Sequence, residues 1–189
     1  MFEIQQEIKD IGLYLTDCLT QEEVDLIVNL SKSPEFEVKS CRIGPYVEVS
    51  GHTKGEKKII FEKIDFVVEK AMGIYLNHFG LKAEDYKVSD KVYWIKTWEI
   101  GMGIGHHSDS WDADGEELVP AVTVLLYLSS DYEGGEIVII DEPGKNNPEK
   151  DLSIKPISGS MIVFKSQTVH KVNPVLSGTR ISTDIPYMN

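Results

Sequence analysis

Apolar side chains recur at helical spacing in two stretches of the first eighty positions. In the earlier one, Val24, Ile27, Val28 and Ser31 fall on one face of a helix predicted from Gln21 to about Ser31. Thr20-Gln21-Glu22-Glu23 opens it as a capping box, because the Thr20 hydroxyl and the Glu23 carboxylate can satisfy helix-start amides reciprocally. Pro34 stops it. The longer stretch runs from Glu56 to Phe79, with Ile60, Ile64, Val67, Ala71 and Ile74 stacking on one face and Gly80 as the residue just past the end. That stripe predicts packing against a sheet. Ile11–Leu15 is strand-like, and residues 36–55 mix short strand-like pieces with Gly44-Pro45 and Ser50-Gly51, the text of a hairpin or a mobile loop.

From Lys91 onward the period changes. Short β-branched and aromatic runs follow one another: Lys91–Glu99, Ala121–Leu128, Glu136–Ile140, Leu152–Ile154, Ser160–Phe164, Val169–Val172 and Arg180–Ile185. Seven or eight short strands predict an antiparallel double-sheet jelly roll. The fold class expected is therefore mainly β with N-terminal helices. The whole chain, 1–189, is expected to form one domain, with 1–89 as helical support and 90–187 as the jelly-roll core.

Composition narrows the class. Only Cys18 and Cys41 are present, without metal-binding or disulfide spacing, which fits reduced thiols in the cytoplasm. The opening residues are acidic and polar where a signal peptide would be basic and then apolar, and no apolar run is long enough to span a membrane. A formal charge of −12 opposes non-specific binding to nucleic acid, and the Arg42, Lys54, Lys57, Lys58 cluster reads as a solvated helix start. Partners expected are a peptide, a protein or a small-molecule substrate; the oligomeric state is left open.

The candidate chemistry lies in Gly105-His106-His107-Ser108-Asp109. His107 and Asp109, two residues apart on a strand, leave the same face and can share a metal ion. His170 follows 61 residues after Asp109, and Arg180 ten residues after that. Two imidazoles and one carboxylate make the facial triad of non-haem Fe(II) sites, which leaves open coordination positions. His106 has the opposite strand parity, and His52 and His78 lie outside this region. Asp112-Ala113-Asp114-Gly115-Glu116-Glu117 is no calcium loop, since counting from Ser110 puts Ala121 where the bidentate glutamate is required.

In order along the chain come Trp98-x-x-Gly101, Thr123–Leu128, Gly134-Gly135-Glu136, Pro156-x-x-Gly159-x-x-x-x-Phe164, His170 and Gly178-Thr179-Arg180. This series resembles the prolyl 4-hydroxylase-like branch of the 2-oxoglutarate/Fe(II) dioxygenases over roughly residues 90–187. The resemblance implies a double-stranded β-helix packed against two helices, with His107, Asp109 and His170 holding Fe(II). It implies that 2-oxoglutarate and O2 are cosubstrates, with ascorbate as an optional addition. Arg180 and Tyr127 would bind the distal carboxylate of 2-oxoglutarate, and Leu125 and Ile137 would line its apolar wall. Residues 40–55 would act as a substrate lid. The activity implied is hydroxylation of an unactivated C–H bond on a peptidyl or free prolyl-type substrate. The alternatives are an oxygenase of nucleic-acid-repair type and a non-enzymatic metal-binding jelly-roll module. Two positions depart from the family pattern: Trp98 stands where many relatives have tyrosine, removing a pocket hydroxyl, and Pro186 where relatives commonly carry tryptophan.

Overall fold

A computed structural model describes residues 2–41, 44–86, 91–109, 111–113, 116–118, 121–141, 143–144 and 148–187. Arg42 of the basic cluster, and Ser110, Asp114 and Gly115 of the acidic stretch, lie outside the described residues. The elements in chain order are β1 (Glu3–Ile8), β2 (Gly12–Thr16), α1 (Gln21–Ser31), β3 (Lys39–Cys41), β4 (Gly44–Ser50) and α2 (Glu56–His78). They continue as β5 (Val92–Trp98), β6 (Ile104–His107), β7 (Trp111–Ala113), β8 (Glu116–Leu118), β9 (Val122–Tyr127) and β10 (Tyr132–Gly134). The last are β11 (Ile137–Ile139), β12 (Leu152–Ile154), β13 (Met161–Lys165), β14 (His170–Val172), β15 (Val175–Gly178) and β16 (Arg180–Tyr187).

The strands form an eight-stranded sheet in the order β1-β2-β13-β9-β16-β5-β4-β3 and a four-stranded sheet in the order β12-β11-β14-β6. Every pairing in both is antiparallel. Two ribbons, β10 with β15 and β7 with β8, complete the set.

Strand alternation decides what each face of the large sheet buries. On one face Leu13, Leu15, Val122, Val124, Leu126, Met161, Val163 and Ile185 join Ile60, Ile64 and Val68 of α2 in the main core. On the other face Tyr14, Tyr127, Ile162 and Phe164 meet Ile137, Ile139 and Ile154 of the small sheet. The large sheet is thus the middle layer of the molecule, and the space between the two sheets is closed by side chains two residues apart on each strand. Gly12 permits the close approach of β2 to β13, since a Cβ there would sit 2.7 Å from the Val163 carbonyl oxygen and 2.8 Å from Phe164 Cβ.

α2 lies across the large sheet and α1 packs on α2. The capping box forms as the sequence predicts: Thr20 Oγ1 accepts from the Glu23 amide at 3.3 Å, and Glu23 Oε2 accepts from the Thr20 amide at 3.0 Å. Past α2, Gly80 has φ +65, and the Leu81 amide closes back onto the Leu76 carbonyl at 2.8 Å. In the 36–55 segment β4 is a ladder strand, paired with β5 from Tyr46 to Ser50. Among the described residues no helix is long and apolar enough to cross a membrane.

Candidate metal and anion site

β6 ends on His107 and β14 begins on His170, and the two residues face each other across the ladder with ring centroids 4.2 Å apart. Asp109 leaves β6 two residues later, and its amide donates to the Ser166 carbonyl at 2.9 Å. One ligand atom from each of the three residues lies within 4.8 Å of the other two. His107 Nε2 is 3.6 Å and His170 Nε2 3.7 Å from Asp109 Oδ1.

The remaining polar atoms of the trio are tethered. His107 Nδ1 is 2.9 Å from the Gly105 carbonyl oxygen and His170 Nδ1 2.9 Å from that of Thr168. A carbonyl only accepts, so each Nδ1 donates its N–H there and each Nε2 is left to face the shared centre. Asp109 Oδ2 accepts from Thr123 Oγ1 at 2.6 Å, and the Thr123 hydroxyl is 2.7 Å from that of the fully buried Ser166. Such outer partners fix a ligand's orientation. Burial lowers the His170 pKa below its ordinary value while Asp109 pulls it the other way. Two imidazole nitrogens and one carboxylate oxygen suit a divalent first-row metal such as Fe(II), and a site that binds through one carboxylate oxygen leaves positions free.

At the other end of the same sheet face lies Arg180, first residue of β16 and cross-strand partner of Trp98. It is 1% exposed, with its guanidinium carbon 4.5 Å from the Trp98 ring centroid and 5.2 Å from that of Tyr127. Its Nε and Nη1 have no hydrogen-bond partner, and neither do the hydroxyls of Tyr127 and Tyr132. Among the described residues no carboxylate lies within ion-pair distance of Arg180. Burial pushes the Tyr127 hydroxyl up to about 12 and raises that of Tyr132, with the nearby guanidinium opposing both shifts. Both are protonated donors at neutral pH. Gly135 makes room for this cluster: its φ is +64, and a Cβ would come 3.1 Å from both Arg180 Cδ and Tyr132 Cε2.

A buried cation without a counter-charge costs several kcal/mol, a cost that an anion bound beside it would offset. The two centres are linked by one strand. On β9, Thr123, Leu125 and Tyr127 share a face, running from the hydroxyl that holds Asp109 to the ring beside Arg180, about 13 Å of strand. Leu125 and Ile137 pack into the inter-sheet cluster with Tyr127.

The structure therefore brings His107, Asp109 and His170 together, and Tyr127 to Arg180. His106 is exposed, His52 is exposed, and His78 pairs with Glu7 at 2.8 Å far from the site. Thr123, Ser166 and Tyr132 were not singled out as functional from the sequence. For Thr123 a signal existed, namely even spacing from Tyr127 on a single strand. Trp98, whose indole N–H donates to Ser182 Oγ at 3.0 Å, contributes its ring face to Arg180 in place of a hydroxyl.

Residues 93–185 match the sequence profile of the 2OG-Fe(II) oxygenase superfamily. A PKHD-type hydroxylase from Psychrobacter sp. (strain PRwf-1) is 35% identical over 94 residues, covering 47% of this chain and 34% of that protein. One from Crocosphaera subtropica is 37% identical over 87 residues, covering 44% and 36%. The matched stretch thus spans about a third of the length of these relatives. A Pseudomonas putida prolyl-4-hydroxylase structure superposes with a TM-score of 0.63 at 18% identity, covering 94% of this chain and 92% of that one. A Trichoplax adhaerens prolyl hydroxylase, in complex with a hypoxia inducible factor oxygen degradation domain peptide fragment, gives 0.67 at 19% identity, covering 95% and 84%. At these identities the structural likeness establishes the fold.

Proposed function

We propose that this chain is a member of the 2OG-Fe(II) oxygenase superfamily, whose profile matches residues 93–185, close to its prolyl 4-hydroxylase-like branch, and that it is a dioxygenase that hydroxylates an unactivated C–H bond. Its substrate is a prolyl-type residue, in a peptide or as the free amino acid. The observation that carries the proposal is the pairing, on one sheet face, of a two-imidazole, one-carboxylate donor set with a dry pocket holding an uncompensated arginine. A 2-oxo diacid has the chemistry for both ends at once.

In this reading His107, Asp109 and His170 hold Fe(II) through Nε2, Oδ1 and Nε2. Bound there with 2-oxoglutarate and O2, the metal supplies the oxidising power that breaks the C–H bond. The protein holds, orients and dries. Thr123 and Ser166 keep Asp109 turned toward the two histidines. Arg180 and Tyr127 take the distal carboxylate by charge-assisted hydrogen bonds. Leu125 and Ile137 line the apolar passage between the ends.

The two facing sheets are read as the double-stranded β-helix of the family, and the entire chain as one domain, since its main core draws on α1, α2 and strands from β2 to β16. For the 40–55 segment the readings are a substrate lid and a plain hairpin packed on the edge of the sheet, and the pairing of β4 with β3 and, from Tyr46 to Ser50, with β5 favours the hairpin. A cytoplasmic location agrees with two free cysteines. The net charge of −12 argues against the nucleic-acid-repair alternative.

The test is succinate formation from 2-oxoglutarate in air. The wild-type protein should produce succinate only with Fe(II), and the single alanine variants at His107, Asp109 and His170 should not, with unchanged far-ultraviolet circular dichroism. No succinate from the wild type, or turnover in all three variants, would sink the proposal.

A further inference from the structure

The pocket around Arg180 offers more donors than Arg180 and Tyr127 use between them. A carboxylate presents two oxygens with about four lone-pair directions. Four buried donor atoms here lack partners: Arg180 Nε, Arg180 Nη1, the Tyr127 hydroxyl and the Tyr132 hydroxyl. The first three belong to residues already placed. Tyr132 comes from β10, a short strand outside both large sheets.

Resting on the reading of this pocket as the 2-oxoglutarate site, we propose that Tyr132 is a cosubstrate-binding residue whose hydroxyl donates to the distal carboxylate beside Arg180 and Tyr127. Its ring alone accounts for packing, since Tyr132 is 4% exposed and clusters with Trp98, Val172 and Val175. Packing does not account for the hydroxyl. A buried hydroxyl without a partner is destabilising, and phenylalanine would fill the same space without that cost.

Local backbone construction points the same way. Gly134 and Gly135, two and three residues after Tyr132, have φ +70 and +64, and a Cβ at Gly135 would crowd both the Tyr132 ring and the stem of Arg180 at 3.1 Å. Tyr132 also pairs across the ribbon with Gly178, two residues before Arg180. The Tyr132–Gly178 pairing and the glycine at 135 thus bring the two side chains to one place. Trp98, with its N–H engaged by Ser182, contributes a π face and no donor to the anion. Tyr132 supplies the second hydroxyl that the departure at Trp98 removes.

Binding measured by calorimetry on Mn(II)-loaded protein separates this role from packing and from turnover. Two probes are used, 2-oxoglutarate and a 2-oxo monoacid of similar length that lacks the distal carboxylate. For Tyr132→Phe the 2-oxoglutarate Kd should rise about tenfold or more, the loss of one hydrogen bond to a charged group. The monoacid Kd should not change, and the thermal midpoint without ligand should hold or rise. Equal weakening of both acids would assign Tyr132 to packing, and an unchanged 2-oxoglutarate Kd would remove it from the site; either overturns the inference. Wild-type protein that binds neither acid overturns the underlying reading instead, so the two failures are distinguishable.

Discussion

The two faces of the eight-stranded sheet bury side chains of opposite character from the same strands. Toward the helices, odd and even positions of β2, β9, β13 and β16 deliver leucine, valine, methionine and isoleucine into a continuous apolar core. Among the described residues, the unpaired buried polar atoms that the sheet itself presents on that face are the hydroxyls of Thr183 and Tyr187, and α2 adds one carboxylate oxygen, Glu56 Oε2, at its first residue. Toward the small sheet the same strands deliver Thr123, Tyr127 and Arg180, with a buried guanidinium and two phenols gathered in one place. A face that only had to be stable would repeat the first pattern. On the proposed function, the unpaired guanidinium and phenols between the sheets are where free energy of folding is given up for binding.

The contrast can be broken in two opposite ways. Ile64 is fully buried on the helix face, and Ile64→Asp would place an unpaired carboxylate there. That costs several kcal/mol against a total stability of about 5–15 kcal/mol, so little folded protein should be recovered in soluble expression. Arg180→Met makes the reverse change, replacing a buried charge with an apolar chain of similar length. The ligand-free thermal midpoint should hold or rise, while 2-oxoglutarate affinity falls by about 2–5 kcal/mol, roughly thirty-fold to several-thousand-fold. A lowered midpoint with unchanged affinity would mean that Arg180 belongs to the scaffold.

Smaller changes sharpen the difference. Thr123→Val keeps the side-chain shape and removes the hydroxyl that holds Asp109 Oδ2. Metal affinity, read by titration with Mn(II), should drop about 10–100-fold, and Thr123→Ser should restore most of it. The two thiols give the mildest probe. Burial pushes Cys18, on the helix side, up to about 12, whereas Cys41 is half-buried. Because the thiolate is the reactive form, an alkylating reagent near pH 8 should label Cys41 and spare Cys18 in the folded protein. Mass spectrometry of the labelled peptides checks the order.

Local chemistry was legible in the sequence and long-range approach was not. α1 begins and ends where Thr20 and the helical spacing place it, because capping is settled within four residues. The apolar runs at β5, β9 and β13 are legible within a residue or so of each end, since each pairs on both sides, and so is β12, an edge strand paired with β11 alone. β1, a polar and exposed EIQQEI, carries no strand pattern and exists by pairing with β2. β10 and β15 are three and four residues long and owe their form to each other across more than forty positions. The same holds at the site. His107, Asp109, His170 and Arg180 stand out by residue type and spacing. Ser166 gains its role only where β13 brings it to Thr123, 43 residues away in the chain. Tyr132 gains its place only when Gly178 comes to lie opposite it.

The central claim is that the triad and the Arg180 pocket are two ends of one ligand site. The most direct test is the Kd of 2-oxoglutarate for wild type and Arg180→Met, each with and without Mn(II). A single chelating ligand that spans both ends predicts tight binding only for metal-loaded wild type, with removal of metal and removal of the guanidinium each weakening it at least tenfold. Binding that ignores the metal, or that survives in Arg180→Met unchanged, would contradict it.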